Sequence, residues 1–197
     1  MLPSNHTKTY LRETAEIAEL VDAERVDSLV AALLELRERG GRVFFLGVGG
    51  SAANCSHAVN DFRKLCSIEA YTPTDNVAEL TARINDQGWD EAFSNWLAAS
   101  NLTSNDAVFV LSVGGGDEQR AISVNLIRAI EHAQRVSAMT LAIVGRSDGF
   151  AATQAEIAVV IPTIAADRLT PHSESFQAVI WHCIVSNPLL QNHATTW

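Results

Sequence analysis

Basic residues are scarce in this chain: 14 lysines and arginines stand against 23 acids, a formal charge of −9. A nucleic-acid binder needs clustered cations to displace the counterions of a phosphate backbone, so no nucleic acid is expected as a partner. Any anionic ligand must be held by local donors. Cysteine is scarcer still. Cys55, Cys66 and Cys183 are odd in number, and no two stand in a CxxC spacing. That leaves neither a disulfide framework nor a zinc knuckle, and buried thiols are the expectation. No apolar run reaches the roughly 18 residues of a membrane span. The opening MLPSNHTKTYLRETAE lacks the basic-then-apolar order of a signal peptide. A cytoplasmic protein with no membrane partner is expected. With 197 residues the chain can bury one good core but not two full-sized ones, which implies a single domain, 1–197.

Proline is also missing between Thr7 and about Arg39, where apolar residues recur at helical spacing: Leu11, Ala15, Ala18 and Val21, then Val26, Leu29, Val30, Leu33 and Leu34. One or two long helices are predicted there. Gly40 and Gly41 end them, and Arg42 to Leu46 has the β-branched and aromatic character of a buried strand. Further strands are predicted at Ser67–Tyr71, Ala107–Ser112, Met139–Val144 and Ala158–Ile161, with the loop GRSDG after the fourth strand. Helices are predicted at about Ala52–Leu65, Val77–Ile84, Trp89–Leu97 and Ser123–Gln134, and from Pro171 to near Asn187. Strands alternating with helices imply a parallel sheet covered on both faces. The expected fold class is α/β: a three-layer α/β/α sandwich with a mostly parallel central sheet over 41–187. Extra N-terminal helices, 1–40, precede it, and a tail, 188–197, follows.

Two glycine loops stand out. Phe44 to Ser51 reads FFLGVGGS, and Phe109 to Gly116 reads FVLSVGGG. A strand that runs into glycines and then a helix presents free backbone N–H groups with the positive end of the helix dipole behind them, an anion cradle. In the first loop Gly47, Gly49 and Gly50 let the backbone approach a ligand closely, and Ser51 is expected to cap the helix and offer its hydroxyl. The same residues fit the G-x-G-x-x-A form of the dinucleotide fingerprint, with Glu69 about 20 residues on as a ribose-binding acid near the end of the second strand. A glycine turn between strand and helix is also what any α/β fold requires. Against a nicotinamide enzyme stand the helical residues that precede the unit and the lack of room for a substrate domain. Two cradles along one sheet edge suit a small phosphorylated ligand with a polar chain.

Three segments carry a resemblance: GGSAANCSHAVND (Gly49 to Asp61), ELTARINDQGWDEAFSNWL (Glu79 to Leu97) and TPHSESFQAVIWH (Thr170 to His182). On them, from about Arg42 to Ser186, the chain resembles a sugar isomerase (SIS) domain, specifically the phosphoheptose isomerase branch. The resemblance implies the flavodoxin-like SIS fold and conversion of D-sedoheptulose 7-phosphate to the D-glycero-D-manno-heptose 7-phosphate aldose. It also implies a homotetramer with active sites shared between subunits and a bound divalent metal, commonly zinc. Carried over by position, it implies substrate contacts from Gly49, Gly50 and Ser51, from the pair Asn85 and Asp86, and from Ser112, Gly114, Ser123 and Glu174. It implies a metal set of His57, Asp61, Glu174 and His182, with Asp61 and His182 as proton carriers. The chain departs from the family in places. Asp61 stands where the family has glutamate, Glu174 where it has glutamine, and Val48 where it has a substrate-binding asparagine. The second loop, SVGGG, keeps only the Ser112 hydroxyl, and about six residues within GDEQRAI are inserted before Ser123. Arg120 in that insertion offers a charge-assisted contact to phosphate.

The residue types fit the chemistry. His57 and Asp61, four apart, share a helix face suited to one metal ion. Glu174 and His182 are eight apart, roughly 12 Å of continuous helix. Both reach one ion only if it lies between their side chains or if Glu174 precedes the regular helix; Gln177 is the substitute if Glu174 points away. An aldose–ketose shift needs a group that removes a proton beside the carbonyl and another that returns one to the neighbouring carbon, and imidazole as a side-chain type exchanges protons near neutral pH. His172 is an outside candidate for a substrate contact, while His6, His132 and His193 belong to no motif. Trp89, Trp96 and Trp181 are expected in the core. Two other readings stay open: a non-catalytic SIS module, either a phosphosugar sensor or a protein-binding tetramer of the kind that assists replication initiation, and a small nucleotide-binding protein.

Overall fold

The computed structural model describes residues 5–195 and places five parallel strands between two layers of helices. Helices α1 (His6–Leu20) and α2 (Ala23–Glu38) precede β1 (Arg42–Leu46). Then come α3 (Gly50–Cys66), β2 (Glu69–Tyr71), α4 (Val77–Gln87), α5 (Ala92–Ala99) and β3 (Ala107–Ser112). The chain continues through α6 (Val124–Arg135), β4 (Met139–Val144), α7 (Phe150–Gln154), β5 (Ile157–Val160) and α8 (Leu169–Val185). The N-terminal stretch is two helices because Asp22 caps the second, its carboxylate accepting from the Arg25 N–H at 3.0 Å. Among the described residues no helix is long and apolar enough to cross a membrane.

The strand order is β2-β1-β3-β4-β5. The winding therefore reverses between β1 and β3, whose register pairs Val43 with Ala107 and Leu46 with Val110. From β1 the chain passes to α3 on one face, and from β3 to α6 on the other, so the two glycine loops part at the carboxyl ends of neighbouring strands. Side-chain alternation splits the core in two. Val43, Phe45, Phe109 and Leu111 pack with residues of α1, α2, α3 and α8. Phe44, Leu46, Val108 and Val110 pack with residues of α5, α6 and α7. Every residue of β3 is buried, which is why it reads as an unbroken apolar run.

Some predicted limits shift. Helix α3 begins at Gly50 with Gly49 at its cap, so Ser51 is not the cap; it lies in the first turn and is buried. Helix α8 begins at Leu169, and Pro171 sits in its first turn, where no intrahelical N–H is needed. Trp96 and Trp181 are core residues as expected, but Trp89 precedes α5 and is 38% exposed against Phe93. Cys55 and Cys66 are buried, and burial pushes the Cys66 thiol up to about 11 and raises that of Cys55 too. Cys183, expected to be buried, is exposed on α8.

Helix α1 is turned differently from its apolar stripe. Leu11 and Leu20 are exposed, while Glu13 and Ile17 are buried. An ion network sets that face. Arg168 Nε and Nη2 donate to the two Glu13 oxygens at 2.8 Å each, and His172 Nε2 lies 3.0 Å from Glu13 Oε2. Tyr10 stacks on the His172 ring at 4.3 Å. His172 is thus committed to α1 rather than open to a substrate. Hydrogen bonds from Arg168 and His172 hold the Glu13 carboxyl down from its ordinary 4.5 to about 2. The carboxylate is the form that is held, so its stabilisation is complete above pH 4.5 and is lost as pH falls through about 2. The difference in thermal midpoint between wild type and Glu13→Gln should vanish across that window. A difference that stays constant down to pH 2 would contradict this account.

Candidate functional site

After β1 the chain turns straight into α3. A Cβ on Gly47 would lie 2.7 Å from the Ser51 carbonyl oxygen, and Gly49 takes φ 64, so both positions require glycine. At Gly50 the neighbour is a side chain: a Cβ there would lie 2.6 Å from the Glu174 carboxylate. Glu174 is therefore seated on the first turn of α3, where unpaired N–H groups and the dipole favour an anion.

Helices α3 and α8 run side by side in the same direction, as a ladder of contacts shows. Beyond the Gly50–Glu174 contact, Asn54 Nδ2 donates to the Glu174 carbonyl at 2.9 Å and to Gln177 Oε1 at 3.0 Å. Further on, the His57 ring meets the edge of Trp181 at 4.7 Å. Asp61 and His182 form the next rung. Asp61 Oδ2 lies 3.7 Å from His57 Nε2 and 3.9 Å from His182 Nε2, and one ligand atom from each of the three falls within 4.8 Å of the others.

His182 and Asp61 each present a defined atom. His182 Nδ1 lies 2.8 Å from the Ala178 carbonyl, which can only accept, so Nδ1 carries the hydrogen and Nε2 presents its lone pair. Asp61 Oδ1 accepts from Asn60 Nδ2 at 2.8 Å, which leaves Oδ2 facing the imidazoles. The His57 and His182 side chains are 58% and 46% exposed, whereas Asp61 is 15% exposed. Two imidazole nitrogens and one carboxylate oxygen at an open surface could hold a divalent metal ion with a position left for ligand.

Glu174 does not join this cluster. It sits at Gly50, seven residues before His57, or about 10 Å of helix away. The ladder explains the difference: eight residues along α8 separate Glu174 from His182, and a straight helix cannot fold them onto one point. Gln177, the expected substitute, is buried and spends its Oε1 on Asn54. Asn85 and Asp86 are exposed at the end of α4 and bonded to each other at 2.8 Å, with no hydrogen bond among the described residues to the loops or the cluster. Glu69 opens β2 instead of ending it. It pairs in register with Arg42 at the amino edge of the sheet, opposite the glycine loops, so the dinucleotide reading loses its ribose acid.

The second loop has turned its hydroxyl inward. Ser112 Oγ is buried and accepts from the Gly115 N–H at 2.9 Å. Gly114 faces open space, since a Cβ there would meet nothing within 4 Å. Ser123 occupies the cap position of α6 at φ 51 but makes no capping hydrogen bond. The insertion is a hairpin in which Asp117 and Ile122 exchange backbone hydrogen bonds of 2.9 Å, with Arg120 at its tip. Asn54 and Asn60 escaped sequence reasoning. Their signal was faint: Asn60 adjoins the acid it serves, whereas the partners of Asn54, Glu174 and Gln177, lie on a helix distant in sequence.

A reversal of winding flanked by two glycine cradles defines an open α/β domain that takes a small ligand at the carboxyl ends of its strands. The SIS domain family matches residues 9–145, well over half of the sequence, and the chain belongs to that family. Among curated relatives, the phosphoheptose isomerase of Syntrophotalea carbinolica is 28% identical over 89% of this chain and 88% of its own length. That of Chlorobaculum parvum is 30% identical over 83% of this chain and 77% of its own. The solved structure of a phosphoheptose isomerase from Francisella tularensis superposes with a TM-score of 0.80 at 21% identity, covering 94% of this chain and 97% of that one.

Proposed function

We propose that the chain is a cytoplasmic phosphoheptose isomerase, which converts D-sedoheptulose 7-phosphate to D-glycero-D-manno-heptose 7-phosphate through an enediol. The observation that carries the reading is the convergence of His57, Asp61 and His182 from two helices in a chain whose relatives bear that name. Asp61 Oδ2 takes the proton from the carbon beside the carbonyl, and His182 Nε2 returns one to its neighbour. A divalent ion, zinc by the chemistry of the donors, would be held by His57 and by whichever of Asp61 and His182 is not carrying the proton, and would stabilise negative charge on the sugar oxygens. The amides of Gly49, Gly50 and Ser51 bind the sugar chain, with Glu174 accepting from a hydroxyl. Asn85 and Asp86 are assigned to further hydroxyls, and Gly114, Arg120 and Ser123 to the phosphate end.

Assembly completes the site in this reading. Within one chain the cluster lies about 10 Å of helix from the first loop, and it is exposed rather than roofed. Leu11, Leu20 and Val179 leave apolar surface on the same helical layer, at 62%, 55% and 55% exposure. A homotetramer places the cluster of one subunit at the loop of another. The test is turnover of sedoheptulose 7-phosphate by zinc-loaded protein, followed by subunit mixing. Asp61→Ala and Glu174→Ala proteins, each inactive, should recover activity when unfolded and reassembled together. Absence of turnover by wild type would remove the enzyme reading, and absence of recovery would remove the shared site.

A further inference from the structure

The loop after β4, Gly145 to Gly149, has no part in the site described so far, yet it closes a small cavity against the second glycine loop. Arg120 of the hairpin and Arg146 of the β4 loop both line it, with Asp117, Asp148, Gly114 and Gly116. Its volume of about 60 Å³ holds a few water molecules and admits a phosphoryl head. We infer that Arg120 and Arg146 together clamp the phosphate of the substrate, doing by guanidinium what the buried Ser112 hydroxyl does not do. This rests on the isomerase reading and names the residues that decide its substrate class, a terminal phosphate monoester.

Both guanidiniums keep unspent donors. Asp148 takes Arg146 Nε at 2.9 Å and Nη2 at 2.6 Å, which fixes the guanidinium plane and leaves Nη1 without a hydrogen bond among the described residues. Arg120 Nε stands 3.4 Å from Asp117 Oδ2, and both its terminal nitrogens are uncommitted among the described residues. Asp117 also accepts from the Arg120 backbone N–H at 3.0 Å, which ties Arg120 into the hairpin turn. Gly114 leaves the floor open. Two arginines and two aspartates make the cavity lining neutral, so directed N–H donors rather than net charge recognise the phosphate. Lysine, a point charge without the planar fork, is a poor replacement.

The position fits one extended ligand. Strands β1, β3 and β4 are consecutive neighbours in the sheet. Two strand spacings, about 10 Å, therefore separate the first glycine loop from the loop that bears Arg146. A phosphorylated sugar chain lying along the carboxyl edge would span that gap.

Arg146→Met, Arg146→Lys and Arg120→Met test the clamp. Loss of hydrogen bonds to a charged group should raise KM for sedoheptulose 7-phosphate about 10- to 100-fold in each methionine variant. kcat should stay within about threefold, since the reacting end is untouched. Inhibition by inorganic phosphate should weaken in parallel, and Arg146→Lys should not restore it. Unchanged KM and unchanged phosphate inhibition in both methionine variants would overturn the clamp while the isomerase reading stands. If wild type turns over no sugar phosphate, that reading fails instead. Calorimetric binding of inorganic phosphate then decides the clamp alone: weaker binding by both methionine variants supports it, and equal binding overturns it.

Discussion

Replacement of His182 by glutamine should lower kcat about 100- to 10,000-fold, the usual contribution of a positioned acid–base group. Glutamine keeps the length and polarity of the side chain but cannot carry a proton back and forth. The fold should tolerate the change. His182 is 46% exposed, its Nδ1 bonds only within α8, and its main packing partner is the adjacent Trp181 ring at 3.5 Å. A thermal midpoint within a few degrees of wild type is therefore expected beside the collapse in rate. Incorporation of solvent deuterium at C2 of the aldose, the carbon that receives its proton from His182, should vanish with turnover. If kcat stays within threefold, or if deuterium still enters at the wild-type rate, His182 is not the proton carrier.

The largest loss of stability is expected far from that site, at Asp106. This carboxylate is 2% exposed at the foot of β3. It accepts from the Arg42 backbone N–H, from Arg42 Nε and Nη2, and from the Thr103 N–H and hydroxyl, at 2.8–3.0 Å. Burial alone would raise its pKa, but these donors outweigh burial and hold it below the usual carboxylate range. Asp106→Ala strands Arg42 and the Thr103 N–H together. Removing one partner of a buried pair costs 3–5 kcal/mol. Arg42 is 26% exposed and keeps the Ser100 and Asn101 carbonyls, so the lower end, about 3 kcal/mol, is expected. For a domain of this size that is a drop of about 6–12 °C in thermal midpoint. Calorimetry of Asp106→Ala checks it, and a drop below 2 °C would show that water replaces the carboxylate without penalty.

Much of the fold was legible because the strands are buried on both faces. Arg42–Leu46, Ala107–Ser112 and Met139–Val144 match the predicted limits for that reason. What escaped depends on contacts distant in sequence. Five residues of α7 are too few to show a helical period. The apolar stripe of α1 pointed to the wrong face, because Glu13 is drawn inward by Arg168, 155 positions away. The pairing of His57 with Asp61 follows from helix geometry alone, and His182 was reached by family pattern. The seating of Glu174 on Gly50 depends on how α3 and α8 align, and no spacing within either helix records that.

The reversal of winding between β1 and β3 has a mechanical consequence. The first glycine loop leads into α3, anchored by Cys55, Ala58 and Phe62 in one apolar core, and the second leads into α6, anchored by Leu126, Ala129 and Ile130 in the other. The sheet is a partition between them. An insertion such as the Arg120 hairpin loads only its own compartment, so one half can be rebuilt without shifting the other. Substitutions drawn from opposite compartments should then sum in free energy, as separate sites do, and the chain behaves as two adjustable jaws on one rigid plate.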